Sequence, residues 1–558
     1  VPDDTLVEST LKRFGKLKDL RSPCESYWKD VTDFALPRRS FWDLDEEEGK
    51  RPSQRLFNTR AGLALETLAT GIVGYSVSPS VAWFRLRLAD FDLQKLPYVA
   101  DWLEDCERRM YAEFQRSTFY AQAIEYVADA ASIGHATMFV RDASRRVIFS
   151  TRHPKEIYIA NAPDGSVDTV FREFRPTALA LKKSFGEEAL NDHVRKILET
   201  DPDRKIRILH AVFPREEREY GRLDAKNKPW ASLYVDLESH EVINESGFEE
   251  KPYAVTRWRT NSDETYGRSP AQDCLADVMM LQQVTRTRLN LAQLVGDPPY
   301  NVPDSLRGRE RLVPHGYNYY TSAQETVSAV AVGGNYPITA DVENRIEDIV
   351  NKHFHVDFFL MLSQAEKPMT AREIVERQGE KAAILGASIG RINQEFLTPV
   401  VERTFKIMMR QGRLPPPPQV LVDEDASFEI DFVGPLAQAQ KKYHQTAGLL
   451  QSLDLVGPIA QLDPTAMDNI DADALMREAL DAFQMPQKAI REEPEVKKIR
   501  AARAQQQAQA QQQQLALLQR SETLKNLDKL NKQKVPGSFI DELDQQLQGA
   551  GAPAGGAV

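Results

Sequence analysis

Apolar residues recur at helical spacing through the second half of the chain, and two abrupt stops divide the pattern. Ser269 suits an N-cap, Pro270 the first helical position, and Gln272 completes a capping box. Leu275, Val278, Met279 and Leu281, then Leu291, Leu294 and Val295, carry the helix to about Val295. That is a rod of roughly 40 Å at 1.5 Å per residue, ended by Gly296-Asp297-Pro298-Pro299. A second helix starts near Thr339, with Val342, Ile346, Ile349, Val350 and Phe354 on one stripe. Leu360 to Met369 interrupts it, and a third helix is predicted from Thr370 to about Arg410. The segment Gly296–Ile338 is too long for a plain helix–helix connection. With strand-like pieces at Arg311–Tyr320 and Val327–Val332, it reads as a small folded module.

Before this stretch the pattern is mixed. Residues 5–36 read as an amphipathic helical region that Pro37 ends, and Leu56–Gly74 as a helix crowded with small residues that permit close helix contact. Val81–Leu88 alternates like a half-buried strand, and Tyr98–Arg116 and Phe119–Ile133 are further helices. From Ala136 to Trp258 the period is mostly two. Strands are predicted at Ala136–Arg141, Val147–Ser150, Glu156–Ala160, Thr169–Phe174, Ile206–Val212, Trp230–Val235 and Tyr253–Trp258, with one helix near Ala178–Thr200. Beyond Gly412, Pro415–Pro418 is a stiff spacer, Phe428–Phe432 one more strand, and Leu436–Ala489 several helices. The fold class is therefore α+β and multidomain.

Composition changes the picture at the C-terminal end. Glu495–Lys534 is Gln/Ala-rich and holds nine Lys/Arg against three Asp/Glu, in a chain whose formal net charge is −11. Two readings stand: low-complexity disorder, or an extended helix that needs neighbours. The second is preferred. Residues 536–558 are expected to be a flexible tail. Overall acidity argues against a general nucleic-acid coat. Cys24, Cys106 and Cys274 are far apart and form no CxxC pair, which suits a reducing compartment. The polar start Val1-Pro2-Asp3-Asp4 lacks a signal-peptide core, and no apolar run approaches the ~20 residues needed to span a bilayer. The expectation is an intracellular protein with no membrane association.

Motifs for chemistry are missing. No GxxxxGK[ST], HExxH or GxSxG occurs. Gly386-Ala387-Ser388-Ile389-Gly390 follows helix rather than strand, so its small residues suit helix packing better than a nucleotide. His353 and His355, two apart on a predicted helix, point to different faces and do not share a metal. The five carboxylates within Asp43–Lys50, like Asp468, Asp471 and Asp473, miss the spacing and glycine of a calcium loop. No catalytic residue, cofactor or metal is expected, and the geometry of the helical stretch is the function to explain.

Pro252-Tyr253-Ala254-Val255-Thr256-Arg257-Trp258, then Tyr266-Gly267-Arg268-Ser269-Pro270 and Asp297-Pro298-Pro299, resembles portal proteins of short-tailed, T7-like bacteriophages, the head-to-tail connector family. Ser78-Pro79-Ser80-Val81-Ala82-Trp83-Phe84-Arg85-Leu86 and Ser117-Thr118-Phe119-Tyr120 match as well, although Ala82 and Thr118 stand where the family usually has Pro and Asn. The resemblance spans about residues 5–435.

It implies a ring of twelve subunits at one capsid vertex of the virion, made in the host cytoplasm. Residues 1–268 would be an α+β wing, 269–295 and 339–360 the two stem helices, and 296–338 a small α/β clip. Residues 361–369 would be a tunnel loop, 370–435 a long wing helix with a closing strand, and 436–493 a helical crown. Residues 494–535 would be a Gln-rich basic helix or barrel. Double-stranded DNA would pass through the channel during packaging, driven by terminase, and again during ejection. Other implied partners are the major capsid protein, a tail adaptor, and internal core or ejection proteins.

Lys352, His353, His355, Ser363, Gln364 and Lys367 are the DNA-channel candidates. Arg307, Arg309, Arg311, Tyr317, Tyr319 and Tyr320 are the candidates for the adaptor interface, where Arg and Tyr are favoured. Asp341, Glu343, Glu347 and Asp348 suggest an acidic wall that lets DNA slide. The rival readings are another ring-forming tail or adaptor component, and a metal-dependent nucleic-acid-processing enzyme.

Overall fold

The structure is a computed structural model that describes residues 4–40, 42, 56–143, 145–219, 222, 224–304, 307–308, 319, 322, 326–329, 336–360, 385–423, 428–434, 473 and 493–531. The chain divides into two compact units, Val1–Leu449 and Leu450–Val558.

The first unit is built on antiparallel strands. A five-stranded sheet runs in the order β4 (Ile157–Asn161), β5 (Val167–Phe174), β6 (Ile208–Pro214), β7 (Trp230–Asp236) and β8 (Val242–Phe248). A three-stranded sheet places β2 (His135–Asp142) between β3 (Val147–Arg152) and β9 (Tyr253–Arg257). Helix α1 (Asp4–Ala35) lays Val7, Phe14 and Leu17 on the five-stranded sheet against Tyr158 and Phe171. Farther along, Trp28 meets Tyr266 and His135 at ring centroids 5.1 and 5.0 Å away.

The largest core gathers α2 (Arg60–Ser76), α3 (Pro97–Arg116) and α4 (Phe119–Ile133). The small residues of α2 are used inside the chain: Ala61, Ala64 and Ala69 are buried. A Cβ on Gly71 would lie 2.3 Å from the Phe359 ring. Strand β1 (Phe84–Leu88) pairs with Phe428–Phe432 in antiparallel register, so the chain beyond Gly412 returns to its beginning. The other edge of β1 is satisfied by side chains of α3. The Tyr111 hydroxyl accepts from Trp83 N–H at 2.9 Å and Phe84 N–H at 2.8 Å, and Glu107 accepts from Leu86 N–H at 2.7 Å.

Several predicted bounds shift for identifiable reasons. The helix expected near Ala178–Thr200 is two, α5 (Ala178–Phe185) and α6 (Asp192–Thr200), parted at Gly186, whose φ of +84° suits glycine. Strand β8 was not predicted, because Asn244, Glu245 and Ser246 give it no apolar alternation. The helix expected over 339–360 is α8 (Tyr336–His353), and it stops where His355 takes φ +52° before a short turn Val356–Phe359. Of the long third helix, 370–384 lie outside the described residues. The rest is helical from 385, opens into a π turn at Asn393–Leu397, and continues as α9 (Thr398–Arg410).

The strand expected at Arg311–Tyr320, apart from Tyr319, and the helices within Leu436–Ala489, apart from Asp473, lie outside the described residues, as does the C-terminal tail. In the second unit α10 (Glu493–Asn531) is one 39-residue helix. Arg500 of α10 pairs with Asp473.

Candidate functional site

A long hairpin of helices dominates the part of the chain where chemistry was missing. Helix α7 (Leu275–Gly296) runs out and α8 returns antiparallel beside it. The Tyr266–Pro270 block anchors the hairpin at its base. Tyr266 is buried in the Trp28 cluster, and its hydroxyl accepts from Ile159 N–H at 3.4 Å. Gly267 abuts Gly134 so closely that a Cβ on either would lie 2.3 Å or less from the other's carbonyl oxygen. Arg268 Nε bonds Glu264 at 2.8 Å. Ser269 forms the predicted capping box with Gln272 and also donates to Ser132 O at 2.7 Å, while Gln272 Nε2 donates to Ile133 O at 2.8 Å. The capped turn Pro270–Asp273, which leads through Cys274 into α7, is thus tied to the last turn of α4.

A buried polar clasp joins the two helices to each other and to the segment before α2. Thr285 donates to Glu343 at 2.7 Å, and Arg288 pairs with the same carboxylate at 2.5 Å. Gln282 Oε1 accepts from Phe57 N–H and Asn58 N–H at 2.7 and 2.8 Å, and its Nε2 donates to Asn58 O at 2.7 Å. Asn58 Nδ2 reaches Glu347 at 3.0 Å, and Arg60 Nε donates to Asn351 at 2.9 Å. Sequence reasoning did not find this clasp, because a Gln, a Thr and a Glu at helical spacing look like solvated surface until their partners are known.

The clasp also corrects the expected acidic wall. Glu343 is buried and neutralised, and Glu347 is held by Asn58. The outward stripe of α8 is Asp341, Arg345, Asp348 and Lys352, which alternates in sign.

The candidate residues fall in two places. Lys352 is exposed and His353 and His355 half-buried at the base of α8; burial, Arg259 and His353 lower the His355 pKa. Ser363, Gln364 and Lys367 lie outside the described residues. Arg307 is exposed in a turn 4.0 Å from Asp304, and Tyr319 is 85% exposed. Arg309, Arg311, Tyr317 and Tyr320 lie outside the described residues. The length of α7 separates the two sets by roughly 30 Å. Among the described residues no cluster of His, Cys, Asp or Glu could hold a metal, and no helix is long and apolar enough to cross a membrane. Burial pushes the Cys106 and Cys274 thiols up to about 12, which makes them poor nucleophiles. A cavity of about 390 Å³ is lined by Arg403, Arg410 and Glu249, but these charges are already engaged in ion pairs that include Glu250.

The bacteriophage head to tail connecting protein family matches residues 7–490. The portal protein of Salmonella phage epsilon15 is 32% identical over 493 residues, covering 86% of this chain and 87% of that protein. A probable portal protein of Bordetella phage BPP-1 is 29% identical over 514 residues, covering 89% and 91%. The portal protein of Escherichia phage T7 is 20% identical over 441 residues, covering 75% and 78%. With a match running from α1 to the edge of α10, and with the motif residues engaged at the base of the hairpin, the chain belongs to the bacteriophage head-to-tail connecting protein family.

Proposed function

We propose that twelve copies of this chain form a ring at one capsid vertex of the virion, around a channel through which double-stranded DNA enters during packaging and leaves during ejection. The role is structural and not enzymatic. In this reading residues 1–268 and 370–435 are the wing, 269–295 and 339–360 the stem, 296–338 the clip, and 361–369 the tunnel loop. Residues 436–493 are the crown and 494–535 the barrel. The observation that carries it is the α7–α8 hairpin: a long two-helix rod whose base is locked to a folded body and beyond whose far end Tyr300–Asn301 pairs with Ser328–Ala329. A circle of such rods encloses a tube.

Lys352, His353 and His355 at the base of α8, with Ser363, Gln364 and Lys367 in the loop after it, face DNA. Contacts of this kind, few and to phosphates only, hold a duplex without sequence preference. Arg307 and Tyr319, exposed as an interface requires, belong with Arg309, Arg311, Tyr317 and Tyr320 to the surface that meets the tail adaptor. The major capsid protein surrounds the ring, terminase docks during packaging, and internal core or ejection proteins meet its capsid side. Synthesis takes place in the host cytoplasm.

Negative-stain microscopy of the purified full chain tests this directly. Rings with a central hole and a narrow stalk are expected; a monomer under all conditions, carrying metal-dependent nuclease activity, would sink the proposal.

A further inference from the structure

Helix α7 leaves one flank largely uncovered among the described residues. Met279 and Arg286 are seven residues apart, hence on one face, and Leu289 follows Arg286 by three. Met279 and Leu289 are each 46% exposed. Arg286 lies over the Phe57 ring at 5.5 Å and has no acidic partner among the described residues. The whole stretch from Val278 to Gly296 contains no Asp or Glu. A complementary surface exists on α8. Asp341, Arg345 and Asp348 sit at successive turns of one exposed stripe, and none has an ionic partner among the described residues.

The two surfaces cannot meet within one protomer. The sides of α7 and α8 that face each other are already filled by Thr285, Arg288 and Glu343, and the stripe of α8 points away from α7. They can meet between copies. Rotation about a common axis keeps every residue at its own height. Thr285 and Arg288 both bond Glu343, so Arg286 stands level with Glu343, between Asp341 and Arg345. Met279, about 10 Å lower on its helix, stands near the level of Asp348.

We infer that the Met279–Arg286–Leu289 flank of α7 is the seam for the Asp341–Arg345–Asp348 stripe of α8 in the next copy of this chain, with Arg286 paired to Asp341. Such a contact joins two different faces, the head-to-tail geometry that closes a ring. The aliphatic stem of Arg345 covers apolar surface while its guanidinium stays wet. This inference rests on the ring proposed above and names the surface that makes it.

A charge exchange separates the two. Wild-type full chain, Arg286→Glu, Asp341→Arg and the double variant are compared by size-exclusion chromatography with light scattering and by microscopy. Circular dichroism and melting of the dissociated protomer check its fold. Each single variant is expected to lose rings with its protomer fold intact, and the double variant to regain them. Met279→Asp is expected to lose rings and Met279→Leu to keep them. Rings in the Arg286→Glu variant, or no rescue in the double variant, overturn the seam. No rings from wild-type protein would instead overturn the proposed function.

Discussion

Single residues at the base of the hairpin show why a short motif carries a large structural load. Gly134 adopts φ +99° and lies against Gly267, so two backbones touch where any side chain would force them apart. That contact is why Tyr-Gly-Arg-Ser-Pro tolerates no bulk at its second position. Glu107 illustrates a different constraint. It accepts from Leu86 N–H at the edge of β1, yet burial, only partly offset by that bond and by Arg85, pushes its carboxyl up to about 7. The folded state therefore holds a proton that the unfolded chain releases near 4.5. Between those values the native protein binds more protons, so this group's contribution to stability falls as pH rises through 7. Glu107→Gln keeps an acceptor for Leu86 N–H and removes the charge. It is expected to raise the thermal midpoint at pH 8, by an amount corresponding to at most about 3 kcal/mol, and to leave it unchanged near pH 4. A pH-independent effect in melting curves would show that the carboxylate is not disfavoured in the fold.

At the scale of elements, the helical segment from residue 385 to Arg410 is fixed to the three-stranded sheet through Glu395, which meets Arg257 of β9, and through Arg403, whose Nε donates to Val140 O of β2 at 3.0 Å. Pro399 has no N–H, and in a regular α-helix its ring would meet the carbonyl of Glu395. The π turn Asn393–Leu397, in which Thr398 N–H reaches back to Asn393 O, relieves that clash. It also aims Glu395 at β9: the carboxylate accepts from Arg257 N–H at 2.9 Å and pairs with the buried Arg257 guanidinium at 3.0 Å. Glu395→Ala leaves that guanidinium with the neutral oxygens of Asn161 and Gly165 but no counter-charge, and is expected to cost about 3 kcal/mol in denaturant unfolding. Glu395→Gln, which still accepts from Arg257 N–H, is expected to cost less; equal losses would mean the charge pair is not what matters. The sequence foretold much at this level where punctuation is chemical. The prolines after Asp297 announced the end of α7, whereas the Ser269–Gln272 capping box starts a separate turn, Pro270–Asp273, and α7 begins after Cys274. It foretold less where structure depends on distant partners. The polar edge strand β8 has meaning only beside β7, and the outward pattern of α8 only once Arg288 claims Glu343.

For the whole molecule, the question is what α10 contributes. Its 39 residues carry Leu515, Leu517 and Leu518 between 58% and 66% exposed, and every described side chain from 500 to 523 is exposed. A helix that buries so little cannot owe its stability to its own chain, because isolated helices in water are marginal and tertiary packing normally supplies the rest. Within one protomer, then, the segment is no part of a core whose loss would unfold the remainder. The barrel reading accounts for its composition: neighbours in a ring would shelter the leucines, and the glutamines would suit a polar wall. Truncation after Lys488 is therefore expected to leave the melting of the protomer unchanged and ring assembly intact. Light scattering and microscopy of the truncated chain would read the outcome. Loss of rings with an unchanged protomer would make α10 the driver of assembly rather than an accessory that assembly stabilises. Because the seam inferred between α7 and α8 lies wholly in the first unit, that same result would weaken the seam as the main source of association.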